Sequence, residues 1–197
     1  MITTEISAFP DTLRAISIAG PFAYEIAIGE KRSECRTWPT KFRGLVLLHV
    51  SQSKEYGDPQ SPDMVSAIIG AAELYNCTPD PFRPGYFDHH MRYPILFEEY
   101  IRNVSGNRNY WHPKTSDHEL AFSRAWAQIP KSEFCIERQG NIIRIASQKT
   151  DQTFDVLAQG IWEEFAPRIQ DSKILLTKAE FARLYHQRQD SQPNRTD

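Results

Sequence analysis

Seven residues, Gly44-Leu45-Val46-Leu47-Leu48-His49-Val50, constrain the fold more than any other stretch of the chain. A β-strand sends successive side chains to opposite faces. A run that is apolar without alternation must therefore bury both faces, which requires a sheet covered above and below. Val65 to Leu74, VSAIIGAAEL, is rich in small and β-branched residues and reads as a second central strand. Gly70 within it marks a bulge or a close backbone approach. With 197 residues, 40% of them hydrophobic and 24% charged, the chain can bury such a core without disulfides.

The elements around these strands follow from local signals. Arg14-Ala15-Ile16-Ser17-Ile18 alternates and ends at Gly20-Pro21. Pro21 suits the first turn of a helix, Phe22 and Ile26 recur at helical spacing, and Gly29 stands where a left-handed cap would end it. Residues 31–38 read as a strand. A polar loop covers Gln52 to Asp63, and four prolines from Thr78 through Pro94 predict a long surface insertion. ILFEEYIRNV, from Ile95, has the spacing of a helix. HELAFSRAWA reads either as a helix with Leu120, Phe122 and Trp126 inward or as part of a strand pair. Gly140-Asn141 between two β-rich runs predicts a hairpin over Phe134 to Ile145. Phe154 to Phe165 has a helical rhythm that Pro167 stops, and Thr177 with Glu180 forms a capping box before Phe181, Leu184 and Tyr185. The tail from Gln187 reads as frayed. The class is α+β, with a helical region beyond about Thr150.

No apolar run approaches the roughly 20 residues of a transmembrane helix, and the first residues lack a signal-peptide pattern. A cytoplasmic protein without membrane contact is the expectation. Cys35, Cys77 and Cys135 suit small buried hydrophobes better than a disulfide or metal framework, and no cofactor is expected. Asp88-His89-His90 has metal-ligand residue types, but neighbouring side chains on an extended chain point apart, so it reads as a surface loop. His112, His118 and His186 carry no pattern.

The formal net charge is -2, so affinity for a polyanion has to come from a local patch. Lys31, Arg32, Arg36, Lys41 and Arg43 stand against the single acid Glu34 between positions 31 and 43. As a strand, this stretch places Ser33, Cys35 and Thr37 on Lys31's face, and Arg32, Glu34, Arg36 and Trp38 on the other. The small face is expected to pack, and the charged face to look at water or a polar cleft, because burying unpaired ions is costly.

The run ISIAGPFAYEIAIGEKRSECRTWPTKFRGLVLLHVSQS resembles the opening half of the ASCH domain, a small β-barrel of the PUA-like superfamily. Gly20-Pro21-Phe22-Ala23 stands where that family commonly has Gln-Pro-Trp/Tyr-Ala. Gly29, Lys31, Glu34 and Arg36 match its signature G-x-K-x-x-E-x-R. Trp38, then Phe42-Arg43-Gly44, lead into the apolar strand ending His49-Val50-Ser51, and the match spans about residues 14 to 76. The resemblance implies a PUA-like barrel with short helices over 1–150, an insertion at about 78–108, and a helical extension over 151–197. It leaves Asn109-Tyr110-Trp111 and the Phe134 to Ile145 hairpin as rival candidates for the strand that closes the barrel.

The resemblance also implies nucleic-acid binding, RNA foremost, in a cleft formed by Pro21, Phe22, Lys31, Glu34, Arg36, Trp38, Arg43, His49 and Ser51. Lys31 and Arg36 would meet phosphate. Glu34 would accept from an exocyclic amine, and Trp38 or Phe22 would stack on a base. The alternative is a small hydrolase or nuclease acting on a modified nucleoside or RNA, with Lys31 and Glu34 as its catalytic pair. The amidohydrolase branch of the family uses a Lys and a Thr three residues later, and Glu34 occupies that Thr position here. A third reading is a protein-interaction module working through the C-terminal helices.

Overall fold

The computed structural model describes residues 9–149, 153–154, 159–165, 173–178, 180–181 and 183–184. It divides into two compact units, Met1–Ile129 and Pro130–Asp197. The boundary thus falls ahead of the expected one near residue 150, and the predicted hairpin belongs to the second unit. Among the described residues, no helix is long and apolar enough to cross a membrane.

The first unit contains β1 (Arg14–Ile18), α1 (Gly20–Ala27), β2 (Ser33–Arg36), β3 (Gly44–Val50), β4 (Ile68–Pro79), β5 (Phe87–Ile101), β6 (Tyr110–Trp111) and α2 (Ser116–Gln128). Its six strands form one sheet in the order β2-β5-β4-β3-β1-β6. Only β1 and β3 pair in parallel; the other neighbours are antiparallel. The sheet curls into a half-barrel.

The apolar strand β3 is buried on both faces. Val46, Leu48 and Val50 join Ile16, Ile18, Ile69 and Leu74 in one core, against Ala23, Ile26 and Ala27 of α1. Leu47 points the other way, into a core with Ala15, Ala71, Phe97, Trp111 and the α2 residues Phe122 and Trp126. Each large aliphatic side chain so enclosed contributes about 1.5–3 kcal/mol relative to exposure.

Pro21 lies in the first turn of α1 and Gly29 follows its end at φ 85°, a backbone region that favours glycine. The Oγ1 of Thr115 accepts from the N–H of His118 to cap α2, and Asp117 and Glu119 lie in the first turn, where the helix dipole favours acids. Phe122 and Trp126 are inward as expected, whereas Leu120 is exposed.

Three expectations fail on β5. The proline-rich region is no insertion: β4 continues to Pro79, and the chain turns back as β5 from Phe87. The expected helix from Ile95 is the second half of that strand. Between the pairs Ile68–Ile101 and Gly70–Leu96, β5 takes more residue steps than β4. Phe97 and Ile101, both buried, stand four residues apart, a spacing that shares one face in a helix and in a strand alike. Asp88, His89 and His90 lie in β5, not in a loop.

The second unit corrects the expected helical extension. Here β7 (Lys131–Gln139), β8 (Ile142–Ser147), β9 (Thr153–Phe154) and β10 (Lys173–Thr177) form a sheet in the order β10-β7-β8-β9, with α3 at Gln159–Phe165. The hairpin turns at Gly140, φ 60°. Ile136, Ile143, Ile145, Trp162, Phe165, Ile174, Leu176 and Leu184 form its core. The Thr177–Glu180 box closes reciprocally: Thr177 N–H donates to Glu180 Oε2 at 2.8 Å, and Glu180 N–H to Thr177 Oγ1 at 3.2 Å. Pro167, Tyr185 and the tail from Gln187 lie outside the described residues.

Candidate nucleic-acid interface

Curling brings the two ends of the six-stranded sheet together, and the signature residues lie along the seam. Strand β2 is only four residues long and pairs on one side, with Glu34 opposite His89 of β5. Lys31 precedes the strand, so strict alternation does not place it on the face of Ser33 and Cys35. Its ammonium instead donates to the Ser33 carbonyl and to Glu34 Oε2, the latter at 3.0 Å. Arg36 donates from Nη1 to Glu34 Oε1 at 2.5 Å and from Nη2 across the seam to the Ser17 carbonyl of β1 at 2.8 Å.

The expected burial of the two faces fails at Glu34 and Thr37, while Arg32 on the charged face is exposed as expected. Glu34 is buried, with 5% of its side chain exposed, while Cys35 is half-buried and Thr37 exposed. The cations on either side make this burial tolerable, because a paired and hydrogen-bonded carboxylate avoids most of the desolvation cost. Lys31 and Arg36 keep 26% and 23% of their side chains exposed, so the triad opens outward through its positive members.

Aromatic rings flank this opening. Phe22 of α1 lies 5.4 Å from the Lys31 ammonium and 5.5 Å from the ring of Tyr56, which projects from the loop after β3. The Glu55 carboxylate beside Tyr56 pushes its hydroxyl upward in pKa, while Arg36 acts in the opposite direction. Tyr56 is 58% exposed, the free face of the group.

Behind Glu34 the seam is shut by rings. His89, with no exposed surface, stacks on Tyr110 of β6 with centroids 5.7 Å apart. Trp38 meets both edge-on, at 4.7 Å and 5.4 Å. A carbonyl can only accept, so His89 donates from Nε2 to the Trp38 carbonyl, and Nδ1 accepts from the Tyr110 hydroxyl, each at 2.9 Å. Burial drives the Tyr110 hydroxyl far up in pKa and pulls the His89 imidazole down. Trp38 is thus a wall of the seam, its ring already engaged.

Not every predicted residue joins this group. His49 lies on the opposite face of the sheet, under α2. Its Nε2 donates to the Val104 carbonyl at 2.9 Å, and its Nδ1 accepts from Ser17 Oγ at 3.1 Å, beside Trp111. Pro21 sits in α1 next to Phe22. Arg43 is exposed and donates to the Thr40 and Phe42 carbonyls, at 3.0 and 2.6 Å. The Ser51 amide donates to the Ile18 carbonyl at 2.8 Å.

Sequence reasoning missed Ser17, Tyr56, His89 and Tyr110. Tyr56, the lone aromatic of a polar loop, carried a readable signal; the other three are joined only by strand pairing and the closing of the sheet. Of the three cysteines, only Cys135 is buried; Cys35 and Cys77 are half-buried. Among the described residues, Cys35, Asp80 and Asp88 bring candidate metal donors within 4.8 Å of one another. Asp80 is already committed to the Phe82 and Arg83 amides and the Arg83 guanidinium. Burial pushes the Cys35 thiol up, away from the thiolate a metal needs.

The buried imidazoles make stability depend on acid. Burial is the largest cause lowering both His49 and His89 from 6.5; the Val104 and Trp38 carbonyls oppose it. Their contribution to stability is complete above pH 6.5. It falls as pH drops below 6.5 towards the folded-state values, because the unfolded chain then takes up protons that the fold refuses. Each imidazole gives a slope of up to about 1.4 kcal/mol per pH unit. Urea midpoints should be lower at about pH 5.5 than at about pH 7.5, with the gap narrowed by His89→Gln. A midpoint that does not move contradicts this assignment.

Comparison with known proteins finds no matching family model and no similar curated protein.

Proposed function

We propose that the first unit binds single-stranded nucleic acid, RNA foremost, at the opening formed by Lys31, Glu34, Arg36, Phe22 and Tyr56. One observation carries this reading: two partly exposed cations hold one buried carboxylate, and two aromatic rings, Phe22 and then Tyr56, lie beside the Lys31 cation. The cations offer phosphate contacts. Tyr56 offers a stacking face, worth about 1–3 kcal/mol per base. Glu34 has lone pairs beyond those used by Lys31 and Arg36, and these can accept from an exocyclic amine. The resemblance of residues 14 to 76 to the ASCH domain supports the same reading.

A hydrolytic reading has less support. The position three residues after Lys31 carries a carboxylate held by two cations, not a hydroxyl free to attack. The test is fluorescence anisotropy with a short single-stranded RNA over a range of salt. The slope of log affinity against log salt should shrink by about 0.7 for each phosphate interaction that Lys31→Ala or Arg36→Ala removes. Affinity and slope unchanged in both variants would defeat the proposal.

A further inference from the structure

A second concavity lies beside the signature strand, between the end of α1 and the β4–β5 hairpin. It holds about 460 Å³, within the range of small-ligand sites. Met91 and Ile26 give it an apolar floor; Lys31, Arg32 and Arg92 supply its charge, and none of the described residues lining it is a carboxylate. We propose that this groove is a second nucleotide subsite, so that the ligand is a strand of at least two nucleotides and not a free nucleoside. The inference rests on the nucleic-acid reading of the Glu34 opening, to which Lys31 connects it.

The side chains suit a base with its phosphate. Buried Glu73 grips Arg92 with two hydrogen bonds, at 2.9 and 3.3 Å, and so fixes the plane of its guanidinium. That guanidinium lies 4.7 Å from the ring of Tyr75 and 5.2 Å from the ring of Tyr93. The result is a preorganised aromatic and cationic platform, with Tyr75 43% exposed. Stacking of this kind tolerates any base.

Two further observations favour a ligand. Tyr93 is held at φ 49°, where a bulky L-residue is an outlier, and such conformations cluster at binding sites. Arg32 is exposed, and among the described residues its guanidinium has no hydrogen-bond or ion-pair partner; only its backbone is engaged, accepting from the Met91 amide. An uncommitted guanidinium at the rim of an apolar, aromatic groove complements a phosphate attached to a planar ring. Lys31 belongs to both sites: it lines the groove, and its ammonium reaches Glu34 and Phe22 at the other opening. A strand crossing Lys31 would meet both in turn.

The test uses the full chain and a labelled oligouridylate of roughly six nucleotides, a length within the span of such platforms. Tyr75→Ala and Arg32→Ala alter the groove, and Tyr56→Ala alters the first opening; thermal melts confirm that all three variants are folded. The proposal expects Tyr75→Ala to weaken binding about tenfold. Arg32→Ala should weaken binding and reduce the salt slope by about 0.7. If both groove variants bind as the wild type does while Tyr56→Ala weakens binding, the second subsite is overturned and the first opening stands. If the groove variants weaken binding and Tyr56→Ala does not, the groove is retained and the first opening loses its support. If the wild-type protein does not bind the oligouridylate, both readings fail.

Discussion

Glu34→Ala is expected to destabilise the first unit by about 2–3 kcal/mol, seen as a lower urea midpoint at unchanged slope. Removing one partner from a buried ion pair commonly costs about 3–5 kcal/mol, because the opposite charge is left without compensation. Lys31 and Arg36 are about a quarter exposed and recover some hydration, which lowers the figure. Arg36 would still hold the Ser17 carbonyl, so the seam loosens at Glu34 before it parts from β1. The same substitution frees two cations at the proposed binding surface. Glu34→Gln, closer in shape, should therefore steepen the salt dependence of RNA binding even as it lowers stability. Unchanged stability in both variants would mean that the carboxylate does not organise the seam.

Gly70→Ala should be still more damaging, costing about 4 kcal/mol or preventing folding. A Cβ at Gly70 would lie 2.2 Å from the Ile95 carbonyl oxygen and 3.3 Å from Ala27 Cβ. Overpacking ordinarily costs about 1–3 kcal/mol when side chains can give way. Here the closer obstacle is backbone, in the strand paired with central β4, and relief means separating β4 from β5 or lifting α1. Gly160→Ala is the control, since a Cβ there meets nothing within 4 Å among the described residues. Urea unfolding of both variants decides the matter; comparable midpoints would show that β5 can yield at Ile95 and that the close approach is not required.

What could be read in advance was local. Pro21 and Gly29 bracket α1, Gly140 turns the β7–β8 hairpin, and the Thr177–Glu180 box forms as expected, because each signal lies within a few residues of the backbone it shapes. The apolar run of β3 foretold cover on both faces. Strand β5 was illegible because Phe97 and Ile101 stand four residues apart, a same-face spacing in a helix and a strand alike, and because Pro94 within it and Pro79, Pro81 and Pro84 ahead of it resembled loop punctuation. The site was legible in its members and not in their arrangement. Lys31, Glu34 and Arg36 emerged as a group from their spacing and resemblance. Which of them is buried depends on His89, set opposite Glu34 by strand pairing, and on Ser17 and Tyr110, which only the curl of the sheet brings near. His49, expected beside them, lies on the other face because it alternates along β3 with Leu48 and Val50, which pack on the α1 side.

The most direct measurement of the central claim is ultraviolet crosslinking of the full chain to a uridine-rich single strand, with the adducts located by mass spectrometry. Stacking at the Lys31–Glu34–Arg36 opening predicts adducts on Phe22 and Tyr56, suppressed by Arg36→Ala. Adducts confined to the second unit, beyond Ile129, with neither Phe22 nor Tyr56 modified, would contradict it.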